Sequence, residues 1–182
     1  MAKPRIEGSF VALITPFNAD GSVDFGAFRT LLDWQARNGT SAVLIMGSTG
    51  EVSMLTPEER RAIVEKTAAM KDGRMKFFYG CTGPSTAATI ANLQFAKGAG
   101  ADGAILAAPA YICAPEDDIE AFFAECADAT SLPLGIYNNP PRVKSDLHWS
   151  HLIRLMRHPN IAVLKESTTR VGQVAQVLAA AP

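Results

Sequence analysis

The chain has 182 residues, of which 48% are hydrophobic and 19% charged, with a formal net charge of −1 at pH 7. This is ordinary globular composition, with material for one core. The balanced charge gives no electrostatic case for nucleic acid or an anionic membrane. No apolar run approaches the roughly 18 residues of a membrane span, and the opening MAKPRIEGSF has charges but lacks the apolar centre of a secretory signal. Cys81, Cys113 and Cys126 are odd in number and have no C-x-x-C spacing. They are expected as reduced thiols of a cytoplasmic protein, not as a disulfide or zinc framework.

The first apolar run, FVALITP, is followed by AVLIMG, which ends at Gly47. Next comes TPEERRAIVEKTAAM, which carries a helix start: Thr56 at the N-cap, Pro57 at N1 and Glu59 at N3 form a capping box. Ile63, Val64, Thr67 and Met70 give that helix an inward stripe, while Glu58, Arg61 and Lys71 stay wet. The third run, KFFYGC, precedes STAATIANLQFAKGAG, a small apolar helix stopped by glycines. After GAILAAP, the segment PEDDIEAFFAECADA places acids in a first helical turn, where they complement the dipole. LGIYNN leads to DLHWSHLIRLMRHPN, a helix ending in basic residues and a proline. The sixth run is IAVLKE, and the chain closes on VAQVLAAAP.

All six runs are nearly continuous in apolar residues, as parallel strands covered on both faces are. Their ends, marked by Ile14, Met46, Gly80, Ala107, Tyr137 and Lys165, recur about every 30 residues, the length of one βα unit. Two architectures fit, a (β/α)8 barrel and an open doubly wound sheet. The turn after the first strand, TPFNADGS, has no G-x-G-x-x-G, which weakens a dinucleotide-binding open sheet. Reactive or polar residues gather instead at the ends of several strands, as barrels arrange them. The expected fold is therefore an α/β (β/α)8 TIM barrel with six of its eight units in this chain. Residues 1–182 would form one catalytic domain lacking the last two units, since eight need roughly 240 residues. A six-stranded open sheet is the competing explanation.

Lys165 follows AVL, which puts its amine at the mouth of an apolar barrel. Desolvation there favours the neutral form, which can attack a carbonyl to give an imine; the alternative is a lysine reaching out into solvent. Tyr137 ends the preceding strand. Its phenol can carry the protons that imine chemistry needs, or its ring can simply fill core. At the end of the second strand, Gly47-Ser48-Thr49-Gly50-Glu51 lets the backbone approach a ligand closely and offers hydroxyl and N–H donors to a carboxylate. A phosphate loop is the rival, but its lysine is missing; a turn whose hydroxyls satisfy their own backbone is the third reading. His148 and His151, spaced H-x-x-H, would share one face of a helix. Their neighbours Trp149 and Leu152 point to packing, and no metal site is expected.

GSTGE, YNNPPR and LKEST, in this order and spacing, together with GSFVALITPFNADGSVD, resemble the dihydrodipicolinate synthase and N-acetylneuraminate lyase family of class I aldolases. The resemblance covers essentially the whole chain. It implies a (β/α)8 barrel that forms a Schiff base with pyruvate, with no metal and no cofactor beyond the covalent imine at Lys165. Lys165 matches the imine-forming lysine, and Tyr137 the proton-relaying tyrosine. Ser48 and Thr49 match the hydroxyl pair that binds the keto-acid carboxylate and, through Thr49, extends the relay. Tyr111, in AAPAYICAP, matches a second catalytic tyrosine that crosses a dimer interface, and Arg142 an arginine that binds the carboxylate of the aldehyde substrate.

Arg142 favours the synthase branch, in which pyruvate condenses with an acidic aldehyde, because a guanidinium grips a carboxylate bidentately. Ala110 and Asn139-Pro140-Pro141 depart from the usual synthase wording, and keep N-acetylneuraminate lyase and other 2-keto sugar-acid aldolases or dehydratases in view. Readings of another class are a non-catalytic 2-keto acid binding protein and a truncated paralogue. The implied partners are a small keto acid and an aldehyde, with no nucleic acid or membrane, and a homotetramer built as a dimer of dimers.

Overall fold

The computed structural model describes residues 6–181. Most of the charged amino-terminal stretch discussed above, Met1–Arg5, and the final Pro182 lie outside the described residues.

Every apolar run overlaps a strand: β1 (Ser9–Ala12), β2 (Thr40–Ile45), β3 (Lys76–Gly80), β4 (Gly103–Ala107), β5 (Leu134–Asn138) and β6 (Ile161–Glu166). Between and after them run α1 (Phe25–Arg37), α2 (Pro57–Ala68), α3 (Thr86–Gly98), α4 (Glu116–Asp128), the short α5 (Pro140–Val143), α6 (Trp149–Met156) and α7 (Gly172–Ala180). The strands are hydrogen-bonded in chain order, β1-β2-β3-β4-β5-β6, and β1–β2, β2–β3 and β5–β6 pair in parallel. A doubly wound sheet would reverse its order at a switch point. This one never does, so the six βα units follow the order of a (β/α) barrel. Among the described residues no helix is long and apolar enough to cross a membrane.

The chain comprises two compact units. The first contains residues 6–80 and 95–104. Here Asp24 caps α1 by accepting from Ala27 N at 2.9 Å. The capping box of α2 is present: Thr56 N donates to Glu59 Oε2 at 2.8 Å and Glu59 N to Thr56 Oγ1 at 3.2 Å. Ile63, Val64 and Thr67 are its buried face. Met70, expected to extend that stripe, lies beyond the helix, which gives way to a turn in which Met70 N donates to Thr67 O. A cavity of about 230 Å³ in this unit is lined by Arg29, Asp33, Lys71 and Arg74 among others. It lies toward the amino-terminal end of β3 and contains none of the expected site residues. Lys71 and Arg74 there are engaged by Asp102 and by Asp33 and Asp72.

The second unit contains residues 81–94 and 105–181. Its α4 and α6 are joined by charge. Arg154 Nη2 and His151 Nδ1 reach Glu120 Oε2 at 2.5 and 2.7 Å, and His158 Nε2 meets Asp128 at 3.0 Å. The hydrogen bond from Arg154, then that from His151, hold the Glu120 carboxyl below its ordinary range. That contact is therefore complete above the ordinary carboxylate pKa and is lost only as pH falls below it. The H-x-x-H pair does not share a helix face. His148 precedes α6 as its N-cap, with Nδ1 2.9 Å from Ser150 Oγ, because the helix starts only at Trp149.

All three cysteines are free thiols. Burial pushes Cys81 and Cys126 up to about 12, whereas Cys113 lies exposed in the loop after β4. Since the thiolate is the reactive species, a maleimide at neutral pH should label Cys113 quickly, and Cys81 and Cys126 only on unfolding. Peptide mass spectrometry reads the sites, and prompt labelling at Cys126 would contradict the burial.

Candidate active site

Two of the expected site residues stand at the carboxyl-terminal ends of β5 and β6. Tyr137 pairs directly with Lys165, and Asn138 with Glu166. Side chains alternate along a strand, so Tyr137 and Lys165 share one face of the pair, and Asn138 and Glu166 the other. Lys165 Nζ stands 4.2 Å from the centroid of the Tyr137 ring, within the range in which an amine interacts with an aromatic face. Both side chains are half-buried. The expected proximity of phenol and amine is therefore present.

After β5 the chain turns on Asn139. Its carbonyl accepts from Arg142 N and Val143 N at 3.0 and 3.1 Å, and Pro140 starts α5 where a missing N–H costs nothing. Asn139 is 95% buried, with a relative exposure of 5%, and its Nδ2 donates to the Tyr137 hydroxyl at 2.5 Å. Arg142 leaves the same turn into solvent.

On the opposite face lies a polar network. Asn138, 4% exposed, donates from Nδ2 to both oxygens of Glu166 at 2.9 and 3.1 Å and to Asp146 Oδ1 at 2.9 Å. Its Oδ1 accepts from Leu147 N. Glu166 also accepts from Thr168 N at 2.8 Å and from Gln173 Nε2 at 3.0 Å. Asp146 takes the Thr168 hydroxyl at 2.8 Å and pairs with Arg170 at 2.9 Å. The loop before α6, the end of β6 and the start of α7 are thereby tied to one another directly behind Lys165.

In the first unit, GSTGE forms a tight turn after β2, with Ser48–Gly50 and Val52–Met54 as successive 3₁₀ turns and Glu51 left-handed at φ 56° between them. Thr15 Oγ1 donates to Gly50 O at 2.7 Å. A Cβ on Gly80 would lie only 2.0 Å from the carbonyl oxygen of Met46, so that position needs glycine for close backbone approach, while one on Gly50 would lie a tight 3.1 Å from that of Leu13. Ser48 is half-buried and Thr49 exposed. Tyr111, in the loop after β4, is 97% exposed at φ 79°.

Sequence reasoning missed Thr15, the Asn138–Glu166 network and the bond from Asn139. A polar residue directly after each reactive one, Asn138 after Tyr137 and Glu166 after Lys165, was the available signal. Asp117, Glu120 and His151 bring potential ligand atoms within 4.8 Å of one another, yet Glu120 is already bound by Arg154.

Parallel βα units in barrel order, with an amine and a phenol in register at neighbouring strand ends, define a (β/α)-barrel protein with its reactive groups where barrels carry their sites. The chain belongs to the dihydrodipicolinate synthetase family, which matches residues 5–182. It is 39% identical over 177 residues to the 4-hydroxy-tetrahydrodipicolinate synthase of Gluconacetobacter diazotrophicus, covering 97% of this chain and 60% of that protein. It superposes on the 4-hydroxy-tetrahydrodipicolinate synthase structure from Methylacidiphilum fumariolicum SolV with a TM-score of 0.93 at 34% identity, covering 98% of this chain and 59% of that one. The chloride-inhibited dihydrodipicolinate synthase of Acinetobacter baumannii, complexed with pyruvate, gives 0.90 at 31% identity, covering 97% and 62%. The chain thus spans about 60% of the length of the curated relatives it matches.

The network makes a stability prediction. Asn138→Ala strips two carboxylates of their shared donor and should cost about 2–3 kcal/mol in urea unfolding. A loss below about 1 kcal/mol would show that water replaces the amide without penalty.

Proposed function

We propose that the chain carries the imine-forming half of a pyruvate-dependent carbon–carbon synthase, of the kind named 4-hydroxy-tetrahydrodipicolinate synthase in its relatives. The observation that carries this reading is the register pairing of Tyr137 with Lys165, amine over ring at 4.2 Å. Unprotonated Lys165 attacks C2 of pyruvate. Proton transfers through the Tyr137 hydroxyl let the carbonyl oxygen leave as water, giving an iminium. The iminium withdraws electrons from C3, which loses a proton to become an enamine. The enamine carbon attacks the aldehyde carbon, the aldehyde oxygen takes up a proton, and hydrolysis frees Lys165. No cofactor beyond this covalent imine enters the scheme.

Ser48 and Thr49 are assigned to the keto-acid carboxylate, with Thr49 also in the proton relay, and the solvent-facing Arg142 to the carboxylate of an acidic aldehyde. Tyr111 is assigned to a neighbouring subunit's site in a cytoplasmic homotetramer. Its 97% exposure, beside Ile112 at 63%, supports a side chain held out for another surface.

Borohydride reduction with pyruvate tests the reading. Peptide mass spectrometry should find the reduced adduct at Lys165, absent in Lys165→Ala and unrestored in Lys165→Arg, whose guanidinium stays protonated. Absence of any adduct on the unsubstituted chain would refute the imine and leave a keto-acid binding protein.

A further inference from the structure

Asn139 links the Tyr137 hydroxyl to the turn that follows β5. Its side chain bonds the Tyr137 hydroxyl at 2.5 Å, its carbonyl anchors the turn that carries Arg142, and Tyr137 in turn lies under the Lys165 amine. We propose that Asn139 is a positioning residue that aims the Tyr137 proton at the bound keto acid. The proposal rests on the imine reading above.

A phenol offers one proton and two acceptor positions. The Asn139 Nδ2 group can only donate, so it occupies an acceptor position and leaves the Tyr137 proton directed elsewhere. The amide itself is held. It is 95% buried, and Arg142 N and Val143 N both donate to the backbone carbonyl of the same residue, which fixes the backbone from which the side chain projects. A hydroxyl otherwise free to rotate about its C–O bond is thus confined to one acceptor geometry. That confinement favours passage of the proton in one defined direction.

The test follows deuterium exchange at the pyruvate methyl group by NMR, in the unsubstituted chain, Asn139→Val, Tyr137→Phe and the double variant. Asn139→Val should slow exchange at saturating pyruvate roughly tenfold, the equivalent of one neutral hydrogen bond. Borohydride trapping at saturation should be unchanged. In the Tyr137→Phe background, Asn139→Val should have no further effect, because the two act as one unit. Additive losses, or unaltered exchange in Asn139→Val, would overturn the proposal. Exchange missing from the unsubstituted chain marks failure of the imine reading, and the positioning role falls with it. Should Asn139→Val not fold, the side-chain amide resonance of Asn139 decides: it moves between the unsubstituted chain and Tyr137→Phe if the bond exists, and an unmoved resonance overturns the inference.

Discussion

The parallel register of β5 against β6 is the constraint on which everything else depends. Strand side chains alternate with a period of two, so a slip of one residue sends every side chain to the opposite face. With Tyr137 opposite Lys165, amine and phenol share a face, and the carboxylate and amide of Glu166 and Asn138 meet behind them. A slip of one residue would turn the Lys165 amine to the face that now carries Glu166, and Glu166 toward the site.

The two faces then have opposite needs. A carboxylate turned into the fold is costly unless its lone pairs are filled. Glu166 is supplied by Asn138, Thr168 N and Gln173, and among the described residues no buried side-chain nitrogen or oxygen lacks a partner. That satisfied network spans three chain segments and locks the register from the back. The front face stays half-open, with Tyr137 and Lys165 both half-buried. The rigidity resides where no chemistry is assigned, and the accessibility where it is.

Much of this was legible in the sequence. Six apolar runs at regular spacing gave six strands, and the Thr56–Glu59 capping box gave α2 its start, because both signals are local. The monotonic strand order, which excludes the doubly wound sheet, could be inferred only indirectly, from missing glycine motifs and from reactive residues at several strand ends. Tyr137 and Lys165 could be placed on facing strand ends because each terminates an apolar run. Asn139 could not be recognised as their partner, since its bond to Tyr137 depends on how the turn into α5 closes. The same holds for His148, read as part of a helix face although the helix begins one residue later. Thr15 escaped because its bond to Gly50 O joins residues 35 apart in the chain, a contact that no local pattern encodes.

The central claim is that one strand register puts phenol and amine on the same keto acid. A crystal structure of the chain soaked with pyruvate tests it most directly. Continuous density from Lys165 Nζ to C2 of pyruvate is the predicted result, with the Tyr137 hydroxyl about 3 Å from the adduct and Asn139 still bonded to it. Pyruvate bound elsewhere, or a free Lys165 with Tyr137 turned to the other face of β5, would contradict it.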